Sequence, residues 1–448
     1  MDNVTFPIAK DLNCDVLVLG GGCAGFSAAV CAARHGADVI LADINGYLGG
    51  TATAGLVGPF MTSYDTEGNV QLIRGFFDEF VRRMEQEGGA IHPSKMGFGN
   101  SQTAYRTAGH RNCSAFDSET YKSVAEEICL ENNVRLMYHL MFIKTEVEDG
   151  NIKAAYFSSK GGIYRIKAKI FIDCSGDGDM AYSSGVPMIF GDENGEVQAS
   201  SLFFTVRGIN KEAMDAHMFS AKNMEEKFYM NEIVSEREAS NFPLYRAKVA
   251  LYESANGEWR VNMSQIDNLD SSVPEQVTCA EIEGRKQIKY IMNFLKNNVA
   301  GCENITLVQS ANNIGVRESR RMVGEYTLTL EDVSESKKFE DSVFCCSNSI
   351  DIHKKGRVDY VERKSKEPYF IPYRSLLAKG IDNLLAAGRC ISAERAVLGA
   401  IRVMPPCFAM GQAAGTAAAV AVSSKKSPKN IDIASLVSTL KADGVYLP

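Results

Sequence analysis

The apolar run Asp15-Val-Leu-Val-Leu19 breaks at Gly20-Gly-Gly-Cys-Ala-Gly25 and passes at once into an alanine-rich stretch ending at His35. A buried strand, a G-x-G-x-x-G turn and a helix in immediate succession leave one common architecture, the first unit of a dinucleotide-binding βαβ fold. Each glycine has its own task. Gly20 allows the tight turn, Gly22 lets a pyrophosphate approach the backbone, and Gly25 lets the helix pack against the strand. Cys23 and Ala24 open the helix, whose free N–H groups and partial positive charge favour a phosphate. A second strand, Ala37 to Leu41, leads to Asp43, placed to accept the hydroxyls of an adenosine ribose.

Two further segments repeat this design, an apolar strand opening into glycine. Lys169-Ile-Phe-Ile-Asp173 runs into Cys174-Ser175-Gly176-Asp177-Gly178-Asp179, and Asn383–Ala387 runs into Gly388-Arg389. Ligands of open α/β sheets sit outside the carboxyl ends of the strands, so one dinucleotide touched by all three segments explains the recurrence. Leu48-Gly49-Gly50-Thr51-Ala-Thr-Ala-Gly55 is too rich in glycine and small residues for an ordinary helix and suits close backbone approach.

Between these landmarks, helices are expected over 72–86 and, capped by Asp117, over 118–132. Strands are expected over 134–138, 141–147, 153–158 and 162–166, with a hairpin turn at Asp149-Gly150-Asn151. Residues 88–113 read as one long loop. Residues 191–305 hold most of the charge-rich helical material and the single Trp259, and Ser201–Val206 within them is strand-like. The organisation expected is a discontinuous domain, 1–190 with 306–448, and an inserted α+β substrate or cap region, 191–305. A long small-residue helix, Phe408 to Val422, closes the pattern.

Composition excludes several classes. Apolar residues make up 45% and charged residues 23% of the 448, and the net charge of −7 disfavours nucleic acid as a partner. No run of about 18 apolar residues is evident, and the first residues lack a signal-peptide pattern, so a cytoplasmic protein without a membrane partner is expected. The 12 cysteines form no C-x-x-C and read as free thiols, Cys345-Cys346 included. Neither they nor the scattered histidines have metal-ligand spacing, and no metal is expected.

The stretches GGGCAGFSAA, YLGGTATAGLVGPF, FIDCSGDGDMAYSSG, NIGVRESRRMVGEY, SIDIH and NLLAAGRCISAERAVLGAIRVMPPCFAMGQAAGTAAA arrive in an order that resembles the FAD-dependent oxidoreductases of the glutathione-reductase-like flavoprotein superfamily. The resemblance implies an α/β fold: a Rossmann-like FAD-binding domain with a parallel sheet and an antiparallel β-meander. It implies FAD held at its pyrophosphate by Gly20, Gly22 and Gly25. Asp43, where most relatives carry Glu, would take the ribose. Gly49, Gly50 and Thr51 would line the pyrophosphate and flavin, Ser175, Gly176 and Asp177 would lie along the cofactor, and Gly388 and Arg389 would meet its ribityl or pyrophosphate part. The helix entered through Pro405-Pro406 would point its N-terminus at the flavin, with Gly411 on its cofactor side or serving close helix–sheet contact.

For substrate chemistry the candidates are Arg402, just before that helix, Arg317 of the Arg317-Glu318-Ser-Arg320-Arg321 motif, and His353. A loop ion pair is the alternative for Arg402. For Arg317, the spacing to Arg320 and Arg321 would put the arginines on one helical face, or they form a structural cluster with Glu318 and Glu325. His353 is an acid/base candidate because an unperturbed imidazole titrates near neutrality, and a hydrogen-bonded structural role is the alternative. His92, His110 and Arg111 could close over a site from the long loop.

The stretch after the first unit has no cysteine pair, unlike dithiol reductases, and no second fingerprint marks a tightly bound NAD(P)H. The activity expected is hydride transfer between a small organic molecule, a carboxylate among the options, and flavin N5. The alternatives are an electron-transfer component or a flavin-binding protein without turnover. The electron acceptor and self-association into a homo-oligomer stay open.

Overall fold

The computed structural model describes residues 5–96, 112–240, 246–354 and 357–448. Its centre is a seven-stranded sheet in the order β3-β2-β1-β6-β5-β4, with β17 also paired to β6. These strands are β1 (Ile8–Leu19), β2 (Val39–Ala42), β3 (Arg135–Met137), β4 (Met141–Glu148), β5 (Asn151–Ser159), β6 (Gly162–Asp173) and β17 (Leu384–Ala386). β3, β2, β1, β6 and β17 run parallel, while β4, β5 and β6 form an antiparallel meander. The expected α/β class with a parallel sheet and meander is therefore the observed one.

Local chemistry explains these elements. The β4–β5 turn places Asp149 and Gly150 at φ 48° and 69°, the left-handed pair that a two-residue hairpin needs. Asp117 caps α3 (Ser118–Glu131), its carboxylate accepting from the Thr120 N–H at 2.8 Å. The segments 162–166 and 169–173, expected as two strands, are one: β6 follows β1 without interruption because Leu12 to Leu19 pair continuously with Ile166 to Asp173.

Helix α1 (Cys23–Arg34) packs against the sheet and against α11 (Met404–Ser424), which also meets β6 and β1. α2 (Phe76–Gln86) starts four residues later than expected. Its Phe76 and Phe80 meet Phe26 of α1 edge-on, each with ring centroids 5.1 Å apart, and Phe408 of α11 joins the cluster. Truncating Phe26, which is fully buried, would cost about 3–5 kcal/mol. α11 begins at Met404, ahead of the expected Phe408. It alone among the described helices has the length and apolarity to cross a membrane, and 78% of that apolar window is buried inside the protein.

A second core lies apart from the first and is built from residues between Leu202 and Ile314, with Leu56. It contains a four-stranded sheet of β11 (Thr306–Ser310), β8 (Phe204–Arg207), β10 (Trp259–Val261) and β9 (Leu251–Glu253), with α5 (Lys211–Ser220), α6 (Met224–Lys227), α7 (Met230–Ser240) and the long α8 (Pro274–Asn298). Three two-stranded sheets complete the chain: β7 (Met188–Phe190) with β12 (Arg320–Met322), β13 (Ser342–Cys346) with β16 (Tyr369–Pro372), and β14 (Ile350–Lys354) with β15 (Arg357–Val361). α4 (Asp179–Ser183), α9 (Leu330–Ser334), α10 (Arg395–Ile401) and α12 (Ile433–Ala442) are the remaining α-helices among the described residues. Cys345 and Cys346 are both buried free thiols.

Candidate functional site: a glycine cradle and an arginine cluster

The glycines of the first turn are separated by what a side chain would meet. At Gly20, with φ +92°, a Cβ would sit 2.5 Å from the Cys174 carbonyl oxygen, and at Gly25 it would sit 1.7 Å from the Gly20 oxygen. At Gly22 the nearest atom would be the Gly50 Cα, 3.9 Å away. Gly20 and Gly25 are thus glycines because the fold leaves them no room, whereas Gly22 borders open space. Gly49 donates to the Gly21 carbonyl at 2.8 Å and pairs with Gly22, bringing the two glycine segments face to face. The first-turn N–H groups of α1, from Cys23 onward, have no intrahelical acceptor and border the same space. This cradle fits a pyrophosphate. Thr51 beside it is exposed.

Asp43 follows directly on β2 and opens the loop. Its Oδ2 accepts from the Gly21 N–H at 2.5 Å and its Oδ1 from the Asn45 N–H at 2.7 Å. Burial raises its pKa, against the pull of those bonds. The carboxylate expected to take a ribose therefore also braces the glycine turn.

The second and third glycine segments meet at the neighbouring strand ends. Asp177 accepts from Arg389 Nη1 at 2.9 Å and from the Ser271 hydroxyl at 2.9 Å. Arg389 Nη1 also donates to the Ser319 hydroxyl at 2.6 Å. Burial works to raise the Asp177 carboxyl, but the Arg389 charge and the bonds from Ser319 and Ser271 hold it below its ordinary value. Ser175 donates its hydroxyl inward to Asp173 at 2.7 Å. A Cβ on Gly176, at φ +83°, would lie 2.7 Å from the Arg389 guanidinium. Gly388, at φ +100°, faces Ala24 of α1.

Gly411 has a packing task. Its absent Cβ would lie 2.0 Å from the Ala24 carbonyl oxygen, and that of Gly415 2.1 Å from the Ala28 oxygen. These two glycines, one turn apart, let α11 lie directly on α1. At these two glycines the contact is helix on helix, while α11 also meets β6 and β1 of the sheet. Seven residues of about 1.5 Å rise separate Gly411 from the helix start at Met404, so the two stations lie about 10 Å apart along α11.

The arginine motif is not helical. Arg320 and Arg321 lie in β12, so the expected helical face does not exist. The three side chains go to three places. Arg320 pairs with Asp179 and donates to the Asp177 carbonyl at 2.9 Å. Arg321 pairs with the fully buried Glu318 at 2.5 Å, and Arg395 joins Glu318 to Asp192 at 2.9 Å each. That network is balanced, two arginines with two carboxylates. Glu325, expected in it, pairs with Lys429 instead. Arg317 alone turns the other way, donating to the Ala199 carbonyl at 2.6 Å, the Ser201 hydroxyl at 2.9 Å and Asn262 Oδ1 at 3.3 Å.

Arg317 enters a cluster with Arg402, His353 and two residues the sequence had not singled out, Arg246 and Asp351. Arg246 Nη1 lies 2.9 Å from His353 Nδ1, and His353 Nε2 lies 2.9 Å from Asp351 Oδ2. Arg402 Nη2 approaches Asp351 Oδ1 at 3.7 Å. Gln198 Oε1 accepts from the His353 N–H at 3.1 Å and from Arg402 Nη2 at 3.4 Å. β14 reaches this position because α10 carries Gly399, where a Cβ would strike the Asp351 carbonyl at 2.5 Å.

The charges shape one another. Burial, then repulsion from Arg246 and Arg402, lowers the pKa of Arg317. Burial would raise the Asp351 carboxyl, yet Arg402, His353 and Arg317 together bring it below the carboxylate range. Burial and then the Arg317 charge hold His353 well below its ordinary value, against the pull of Asp351. A guanidinium has no lone pair to give, so His353 Nδ1 must accept and Nε2 must carry the proton to Asp351. Both nitrogens are committed. This arrangement is that of the hydrogen-bonded alternative for His353.

The sequence offered little to find Arg246, a lone arginine in a mixed segment, and Asp351 was visible only as the neighbour of His353. His92 is buried elsewhere, bonded to Asp78 at 2.8 Å and Ser94 at 2.7 Å. His110 and Arg111 lie outside the described residues.

A model of the family described as FAD dependent oxidoreductase matches residues 15–440. No curated protein matches the chain. Solved structures similar to it include a geranylgeranyl bacteriochlorophyll reductase-like protein from Thermoplasma acidophilum, at 12% identity and TM-score 0.47 over 96% of this chain and 83% of that one. Another is p-nitrophenol 4-monooxygenase from Pseudomonas putida, at 10% identity and TM-score 0.45 over 97% and 81%. A third is L-proline dehydrogenase from P. horikoshii, at 11% identity and TM-score 0.44 over 96% and 99%.

Proposed function

Because the chain belongs to the FAD dependent oxidoreductase family, we propose that this FAD-dependent enzyme moves a hydride between a small organic carboxylate and flavin N5. We read its domain as that of the glutathione-reductase-like superfamily, from the order β3-β2-β1-β6-β17 and the β4–β5–β6 meander. The cradle of Gly20, Gly22, Cys23, Ala24 and Gly25, faced by Gly49 and Gly50, would hold the FAD pyrophosphate. Asp43 would reach the adenosine ribose, and Ser175, Gly176, Asp177, Gly388 and Arg389 would border the chain toward the flavin. Bound FAD supplies the two-electron centre.

The observation that carries the substrate reading is the gathering of three guanidiniums, Arg246, Arg317 and Arg402, around one carboxylate at the start of α11. Buried charge without a partner is costly, and an anionic substrate supplies the partner. Arg402 and Arg317 would bind and orient the carboxylate. The Asp351–His353 pair keeps a proton on Nε2 and presents Nδ1 to Arg246, fixing that guanidinium. The second core, with residues 191–305 as the cap, would exclude water and set specificity.

The test is the absorption spectrum of the purified protein during anaerobic addition of small acids. An acid that bleaches the flavin bands unaided supports the reading. Failure of every carboxylate, with bleaching by an uncharged alcohol or amine, overturns it.

A further inference from the structure

The arginine cluster has more positive charge than its carboxylate can balance. Arg402 pairs with Asp351 at 3.7 Å. Arg317 has only neutral partners, the Ala199 carbonyl, Ser201 and Asn262, and Arg246 has the neutral His353. Among the described residues neither forms an ion pair, and segments 97–111, 241–245 and 355–356 contain no Asp or Glu. Lys248 stands near enough to Arg246 for their charges to repel. The balanced network of Arg321 and Arg395 with Glu318 and Asp192 lies next door, so the excess is particular to this cluster.

The unsatisfied atoms agree in kind. Arg402 Nε and Gln198 Nε2 are buried without a hydrogen-bond partner, and Gln198 is fully buried. Both are donors. The oxygen of the same Gln198 amide already accepts from Arg402 and from the His353 backbone, which keeps its nitrogen beside the cluster. A ligand that completes this site brings acceptors and negative charge.

The cations are also spread out. Arg246, His353, Asp351 and Arg402 form a chain in which imidazole and carboxylate hold two guanidiniums apart, one at each end. Guanidiniums at two ends, with net positive charge left once Asp351 is counted, match two separated carboxylates.

We propose that the substrate is a dicarboxylate, with Arg402 and Arg317 taking one carboxylate and Arg246, oriented by the Asp351–His353 pair, taking the other. This rests on the reading of the site as one for an anionic substrate, and it makes Arg246 the residue that separates two-carboxylate from one-carboxylate acids.

The experiment is calorimetric titration of the FAD-loaded protein with malonate, succinate and glutarate, and with acetate, propionate and butyrate, at fixed pH and ionic strength. At least one dicarboxylate is expected to bind about tenfold or more tighter than every monocarboxylate, the value of one charge-assisted contact. Arg246→Met is expected to lose about tenfold or more for that dicarboxylate while leaving monocarboxylate binding within about threefold. Arg246→Lys, which keeps the charge, is expected to recover part of the loss, and flavin content and thermal midpoint establish that both variants fold. Monocarboxylates binding as tightly as dicarboxylates, or an Arg246→Met protein that binds the dicarboxylate unchanged, overturns the proposal. If monocarboxylates bind equally and bleach the flavin, the dicarboxylate inference fails alone. If no acid binds, the carboxylate reading fails with it.

Discussion

Arg246 Nη1 donates to His353 Nδ1 at 2.9 Å. The donor comes from the segment before β9 and the acceptor from β14, so one hydrogen bond joins the second core to the strand beside α10. Since the guanidinium can only donate, this contact fixes the imidazole as the neutral Nε2–H tautomer.

The first prediction concerns that imidazole. Burial and the Arg317 charge hold the folded-state pKa of His353 below its ordinary value, while the unfolded chain takes up the proton near pH 6.5. The folded state then binds fewer protons, so His353 contributes stability above about pH 6.5 that is lost as pH falls. Urea unfolding of His353→Gln at pH 7.5 and 5.5 is expected to show a smaller loss across that range than the parent. If His353 positions Arg246 and is not a base, the variant's kcat/KM falls while the acid limb of its pH profile keeps its place. A limb that disappears with His353 would restore the acid/base role.

Arg402→Ala is expected to keep stoichiometric FAD and to lose reaction with an anionic substrate. Removing a charged hydrogen-bonding partner costs about 1.5–3 kcal/mol, or about 10–100-fold in kcat/KM. Steady-state rates with flavin content measured in parallel separate the two effects. An unchanged rate removes Arg402 from the site.

Gly22 and Gly25 should fail differently. Gly22→Val adds a side chain to open space, since the nearest atom to its Cβ is 3.9 Å away. The protein should fold and emerge without flavin. Gly25→Val drives a Cβ to 1.7 Å from the Gly20 oxygen and should compromise folding itself. Circular dichroism and flavin absorbance together distinguish the outcomes, and a Gly22→Val protein with full flavin content would remove the pyrophosphate from this cradle.

Thiol reactivity gives an independent check of the fold. Cys279 is exposed and the other 11 cysteines are buried, and burial pushes Cys113, Cys345 and Cys346 up to about 12. A native-state titration with an aromatic disulfide reagent should find one fast thiol, abolished in Cys279→Ser, and 12 in denaturant. Several fast thiols in the native protein would contradict the packing of α1, α11 and β13.

What the sequence legibly carried was local. The turn at Gly20–Gly25, the hairpin at Asp149-Gly150 and the cap at Asp117 each express a backbone requirement met by residues within a few positions. The glycine-ended strands 169–173 and 383–387 could be placed at one sheet edge because parallel strands bring their carboxyl ends together. The arginine motif misled for the complementary reason. A spacing of three and four suits a helix, but pairing of β12 with β7 made the segment extended and sent Arg317, Arg320 and Arg321 to different neighbours.

The sequence by itself thus determined the dinucleotide-binding core, since φ-positive glycines, caps and apolar runs act over short stretches of chain. Only the tertiary structure decided the arginine cluster that we propose as the substrate site. It brings Arg246, Arg317, Asp351, His353 and Arg402 into one buried cluster from segments far apart in sequence, and the task of each depends on burial and on charges across a few ångströms of space. Those quantities exist only once the chain has folded, which is why the contact of His353 with Arg246 could not be read from the sequence.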